Sequence, residues 1–145
     1  MNSEAMAGDL IARSGHCLRE TRAAYDESDY ALCVRRAQET IELAIKGLLR
    51  LAGIEFPREH DVSNALLDSA GRFPEPWREA LPELARRMQE ITPKRGPAMY
   101  GLESQGIPAS EAFDENDGRG ALADAEFAYS RCAAYFEEWK TRRNT

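Results

Sequence analysis

Cysteine and histidine are scarce in this chain, which has three and two of them among 145 residues. Cys17, Cys33 and Cys132 are odd in number and far apart, with no C-x-x-C pair and no Cys/His cluster at zinc-ligand spacing. This argues against a disulfide framework and a metal centre, and a reducing cytoplasmic setting is expected. Long apolar runs are missing as well. The most apolar stretch, residues 41–54, is interrupted by Glu42, Lys46 and Arg50, well short of the roughly 20 apolar residues that span a bilayer. No basic start leading into an apolar run and a small-residue cleavage site marks an export signal, so a soluble protein that is not secreted is expected. Positive charge is not in excess either. The 19 Lys+Arg against 25 Asp+Glu give a net charge of -6, the wrong sign for coating nucleic acid or an anionic membrane, although a local basic pocket remains compatible with it. Alternating strand patterns, internal repeats and low-complexity segments are absent.

What the chain does have is helical periodicity. From residue 3 to 26, Met6, Leu10, Cys17, Leu18, Ala24 and Tyr25 recur at three- and four-residue steps, which predicts one amphipathic helix. A polar turn, Asp26 to Asp29, offers Ser28 or Asp29 as the cap of a second helix. That helix carries Tyr30, Val34, Ala37, Ile41, Ala44, Ile45, Leu48 and Ala52 on one stripe and stops at Gly53. Asp61 is the expected cap of a short third helix ending near Gly71. After Pro74 and Pro76, Trp77, Leu81, Leu84, Met88 and Ile91 mark a fourth, with Pro82 about one turn inside it, so that this helix is expected to be split with its regular part starting near Pro82. Residues 92–117 are expected to form a long Gly/Pro-containing acidic loop. The last helix is expected from about Gly118 to Arg142, with Leu122, Ala125, Ala128, Tyr129, Cys132, Ala133, Phe136 and Trp139 facing inward. The fold class is all-α: a single domain, residues 1–145, built as an antiparallel up-and-down bundle of four long helices plus one short helix.

Charge and polar spacing narrow the search for a site. Residues 101–126 carry the whole imbalance of -6, whereas residues 84–100 hold Arg86, Arg87, Lys94 and Arg95 against Glu90 alone. Such a stretch either neutralises the end of its helix or holds a phosphate, with Tyr100 or Trp77 near it to stack a base. On the second helix Gln38, Glu42, Lys46 and Arg50 follow at four-residue intervals and share one face. That is an ordinary i,i+4 ion-pair ladder or one wall of a site. The segment Pro57-Arg58-Glu59-His60-Asp61 then delivers an imidazole and a carboxylate to a helix start, where backbone N–H groups favour anions.

These residues resemble the pattern of the HEPN domains. Tyr30-Ala31, Ala37-Gln38, Glu42, Lys46-Gly47-Leu48-Leu49, Gly53, Pro57, His60-Asp61 and Leu66-Leu67 stand in the family's order, and Arg95 followed by Tyr100 is similar to its late Arg-plus-Tyr loop. The resemblance implies a helical bundle that dimerises, often beside a small nucleotidyltransferase in a two-component, toxin-antitoxin-like pair, with roles in RNA cleavage or in binding nucleotides and RNA. The ribonuclease branch carries Arg-x4-6-His late in the bundle, whereas here Tyr100 stands where its histidine would be. A phenol of pKa ≈ 10 is a poor proton shuttle at neutrality. The expected function is therefore a non-enzymatic module binding a nucleotide or RNA end, partnering a nucleotidyltransferase, or both. It needs no cofactor or metal, has no catalytic residues, and is expected to be a homodimer. The candidate ligand-binding residues are Glu42, Lys46, His60, Asp61, Arg95 and Tyr100: Lys46 and Arg95 for phosphate, His60 donating to it, Glu42 orienting Lys46, and Tyr100 meeting a base or sugar. The alternatives are a metal-independent ribonuclease toxin using Arg95 and His60, and a plain protein-interaction module.

Overall fold

A computed structural model describes residues 3–143 of the chain. Among them are eight α-helices: α1 (Ser3–Asp26), α2 (Tyr30–Leu51), α3 (Ser63–Asp68), α4 (Glu75–Arg78), α5 (Leu81–Ile91), α6 (Arg95–Tyr100), α7 (Ala109–Ala112) and α8 (Glu115–Arg143). No β-strand is present among the described residues, and a lone bridge joins Leu102 to Ile107. The architecture is an all-α helical bundle.

α2 is its axis, packed against α1 on one side and α8 on another, with α6 across its first half and α5 beside it. Asp29 starts it by accepting from the Leu32 N–H at 3.2 Å, and Gly53 ends it in the left-handed region at φ +73°. Val34, Ile41, Ile45, Leu48 and Leu49 are wholly buried, and even Gln38 and Thr40 on its other sides are closed off from water.

α1 differs from the expected register. Its buried residues are Ala7, Ile11, Ser14, Gly15, Leu18, Thr21 and Ala24, while Met6 is 46% exposed. Beside Ile11 and Leu18 the seam consists of small residues, which let two helices approach closely. Gly47 of α2 faces Ile11, and the Ser14 hydroxyl donates to the Thr40 carbonyl at 2.7 Å. Hydrophobicity alone does not mark such a face, and the expected stripe of large apolar residues lies beside it.

The expected fourth helix is divided: α4 ends at Arg78, and α5 begins at Leu81 with Pro82 in its first turn. A proline there forfeits no helical hydrogen bond. The expected loop at 92–117 is largely helical. A 3-10 turn, Thr92–Lys94, runs from α5 straight into α6, and Pro93 and Pro97 both fall in first turns that tolerate them. Gly101, at φ +78°, ends α6 where a β-carbon would lie 2.3 Å from the Ile107 carbonyl oxygen, so only glycine closes this turn. α8 starts at Glu115 because Asp114 and Asp117 form a reciprocal cap, each backbone N–H donating to the other carboxylate at 2.9 Å. Gly118 then lies inside the helix, where the Tyr30 ring leaves no room for a side chain. On α8, Ala121, Ala125, Ala128, Cys132 and Tyr135 are buried, whereas Trp139 is one-third exposed. Among the described residues no helix is long and apolar enough to cross a membrane.

Candidate functional site

The polar face of α2 meets two segments that are distant in sequence: the connector 52–62, which carries His60, and α6, which opens with Arg95. Gln38 and Glu42 lie one turn apart, so both can be reached from these segments. The Gln38 amide donates through Nε2 to Glu42 Oε1 at 2.8 Å and accepts through Oε1 from Arg95 Nη1 at 2.7 Å. Lys46 Nζ donates to Glu42 Oε2 at 2.9 Å, and His60 Nδ1 lies 3.0 Å from Glu42 Oε1. Four of the candidate residues, Glu42, Lys46, His60 and Arg95, are thus joined through Gln38 in one hydrogen-bonded chain. Glu42 and Lys46 keep only 14% of their side-chain surface exposed, while His60 keeps 54%.

The donors and acceptors determine the orientations. A carboxylate accepts only and a guanidinium donates only, so the Gln38 oxygen must face Arg95 and its nitrogen Glu42. By the same logic His60 carries a proton on Nδ1. Its Nε2 is then an acceptor in the neutral ring and a donor in the imidazolium.

Beside this chain a groove of about 410 Å³ is lined by Arg35, His60, Thr92, Arg95, Gly96, Met99 and Tyr100. Three of these can be cationic and none is a carboxylate. Tyr100 is 65% exposed and Met99 39% exposed, so an aromatic face and a thioether stand open at its wall. Such an arrangement can take an anion with an attached flat or apolar group.

The other sequence candidates lie elsewhere or serve the fold. Asp61 spends its carboxylate on the Ser63 N–H at 2.9 Å, and the Val62 N–H points to Met88 Sδ at 3.3 Å. Both groups at the start of α3 are therefore taken and do not form the expected anion cradle. Lys46 does not line the groove; it lies 5.5 Å from the centre of the Phe56 ring and holds Glu42. Of the basic stretch at 84–100, Arg86 and Arg87 clasp Glu83, whose carboxyl the Arg86 hydrogen bond, helped by Arg87, holds down to about 2. Arg87 also binds Asp124 at 2.5 Å. Burial nevertheless leaves the Asp124 carboxyl above its ordinary range. Lys94 borders an acidic hollow with Glu90, Asp117 and Asp124. Arg95 alone of the four turns to the groove. Trp77 is 2% exposed, stacked on Tyr135 at 4.7 Å with its N–H on Glu138, so it faces no ligand. None of the acidic residues of 101–126 lines the groove.

Sequence reasoning left out Arg35 and Met99, and placed Gln38 on the polar face of the second helix and in the family pattern but not among the ligand-binding candidates. Arg35 precedes Gln38 by three residues on the same helical face, a spacing that would have flagged it. Met99 carried no signal. Among the described residues no group of three or more His, Cys, Asp or Glu is placed to hold a metal ion.

Comparison with known proteins bears on this geometry. The crystal structure of an archaeal HEPN homologue is 27% identical and superposes with a TM-score of 0.62 over 90% of this chain and 97% of that one. That of a Thermus thermophilus protein is 25% identical, with a TM-score of 0.64 over 92% and 98%. A 63-residue stretch is 41% identical to the DNA translocase FtsK of Streptomyces avermitilis, covering 43% of this chain and 6% of that protein's length. The model of the HEPN domain matches residues 7–135, which contain the groove and every residue of the hydrogen-bonded chain beside it, and the protein therefore belongs to the HEPN domain family.

Proposed function

We propose that this domain is a non-enzymatic HEPN-type binding module that seats a phosphate-bearing ligand, a nucleotide or an RNA end, in the groove between α2, the connector and α6. The carrying observation is the lining: Arg35, His60 and Arg95 converge without a carboxylate among them. In this reading Arg35 and Arg95 hold phosphate, and Tyr100 stacks on the base. His60 adds its imidazole to the same lining, where it donates to the phosphate. Lys46 and Glu42 build the wall rather than touch the ligand. Calorimetric titration of ATP and short RNAs into wild type and Arg95→Ala, with RNA integrity followed on a gel, tests this. Saturable binding that Arg95→Ala weakens, without cleavage, supports it. Absence of binding leaves the protein-interaction reading.

One observation favours a second reading, a metal-independent ribonuclease. Glu42 fixes the His60 tautomer whose Nε2 accepts a proton, and Arg95 lines the same groove. That pairing fits removal of a 2′-hydroxyl proton beside a cation that stabilises the phosphorane. RNA cleavage abolished by His60→Ala would select it. Homodimerisation and pairing with a small nucleotidyltransferase belong to the same proposal, and sedimentation and co-purification test them.

A further inference from the structure

We propose that Gln38 is a positioning residue, a neutral spacer that separates the Arg95 guanidinium from the Glu42 carboxylate and so keeps a cation turned to the groove. The inference rests on the binding reading above but has its own structural test. Arg22, Arg36, Arg86, Arg87 and Arg119 each pair with a carboxylate. The bond described for Arg95 is instead to an amide oxygen. Its charge is therefore not cancelled locally, although Glu42 lies only one amide's width beyond.

Gln38 is 1% exposed, so no water stands in for it easily. Its amide supplies each neighbour with the partner that neighbour needs, an acceptor to Arg95 and a donor to Glu42. Removing it while keeping its volume leaves a guanidinium and a carboxylate facing each other in a partly dry site, where a bidentate ion pair is the strongest contact open to both. Arg95 would then leave the groove and compete with Lys46 and His60 for Glu42. Glu42 is the carboxylate that Gln38 already bridges to Arg95, whereas Glu39 lies against Arg36 at 2.9 Å and Arg35 at 3.7 Å, so Glu42 is the one that captures it.

The test uses the intact chain. Gln38→Met keeps volume and removes both bonds; Gln38→Asn stays polar but is one methylene too short to bridge. The expected crystal structure of either variant places the Arg95 guanidinium on Glu42, within ion-pair distance. Affinity for ATP is expected to fall about tenfold, the loss of one charge-assisted contact. It is expected to recover in Gln38→Met/Glu42→Gln, where nothing captures Arg95. A purely structural role for Gln38 predicts that the double variant binds no better than the single one. Arg95 unmoved in both variants, or no recovery in the double variant of a protein whose wild type binds ATP, overturns the spacer. Arg95 moved onto Glu42 in a protein whose wild type binds no ATP supports the spacer and removes the binding reading instead.

Discussion

Glu42 is the hub of the polar chain, and neutralising it has a calculable consequence. In Glu42→Gln the shape is kept. One oxygen can still accept from Gln38 Nε2, but the amide nitrogen now faces Lys46 Nζ, two donors at the 2.9 Å separation of the present ion pair. Lys46, with 14% of its side chain exposed, loses its carboxylate. Breaking a fully buried ion pair by removing one partner costs about 3–5 kcal/mol, and a hydrogen bond to a charged group is worth about 1.5–3 kcal/mol. Residual exposure lets water recover part of this, so a loss of roughly 2 kcal/mol is expected. For a chain of this size that lowers the melting temperature by roughly 4–8 °C. Circular dichroism melts and urea titrations at neutral pH read both quantities. The cycle with Lys46→Met isolates the pair: Glu42→Gln/Lys46→Met is expected to be more stable than the sum of the two single effects by about 1 kcal/mol or more. A melting point within 1 °C of wild type, or strict additivity, would refute the claim that this face of α2 is a coupled network.

Other consequences are more local. Cys33 and Cys132 are buried, which pushes their thiols up to about 11 and about 12, whereas Cys17, its thiol also raised by burial and Glu39, is half-buried; native protein at pH 7.5 should therefore react with a disulfide reagent, slowly, at Cys17 alone, and all three thiols should appear on denaturation; prompt labelling of Cys132 in native protein would contradict the packing. Gly101→Ala meets both a positive φ and the Ile107 carbonyl oxygen, and should lower stability by more than about 1 kcal/mol in urea titration; a neutral result would mean that the turn after α6 is not closed as described. Asp61 precedes Val62, the residue that caps α3 without a side-chain bond, so Asp61→Ala removes the acceptor of the Ser63 N–H and no ligand contact; it should cost about 1 kcal/mol of stability and leave ATP affinity unchanged, whereas a fall in affinity would return Asp61 to the site.

How much of this was legible in the sequence depended on whether a feature is local. α2 announced itself through its apolar stripe, its Asp29 cap and its terminal glycine, and the Glu42–Lys46 contact followed from four-residue spacing. The seam of α1 did not, because close helix packing is written in alanine, glycine and serine, which hydrophobic periodicity ignores. The segment 92–117 differs from the expected loop for a related reason: Pro93, Pro97 and Gly101 look like breakers, yet each sits at a helix start or stop, where its stereochemistry suits a helix. The bond from Arg95 to Gln38 joins residues 57 positions apart, and no periodicity reports such a contact. The likeness to HEPN domains placed Arg95 and Tyr100 in one region, but only the structure distinguished Arg95, turned to the groove, from Arg86 and Arg87, bound to carboxylates.

The central claim is that the groove of Arg35, His60 and Arg95 is an anion site. Calorimetric titration of ATP into wild type, Arg35→Ala and Arg95→Ala, with folding verified by circular dichroism, tests it most directly. Saturable binding to wild type is expected, weakened about tenfold by each substitution and further by rising salt. Binding indifferent to both arginines, or no binding by folded wild-type protein, would contradict it.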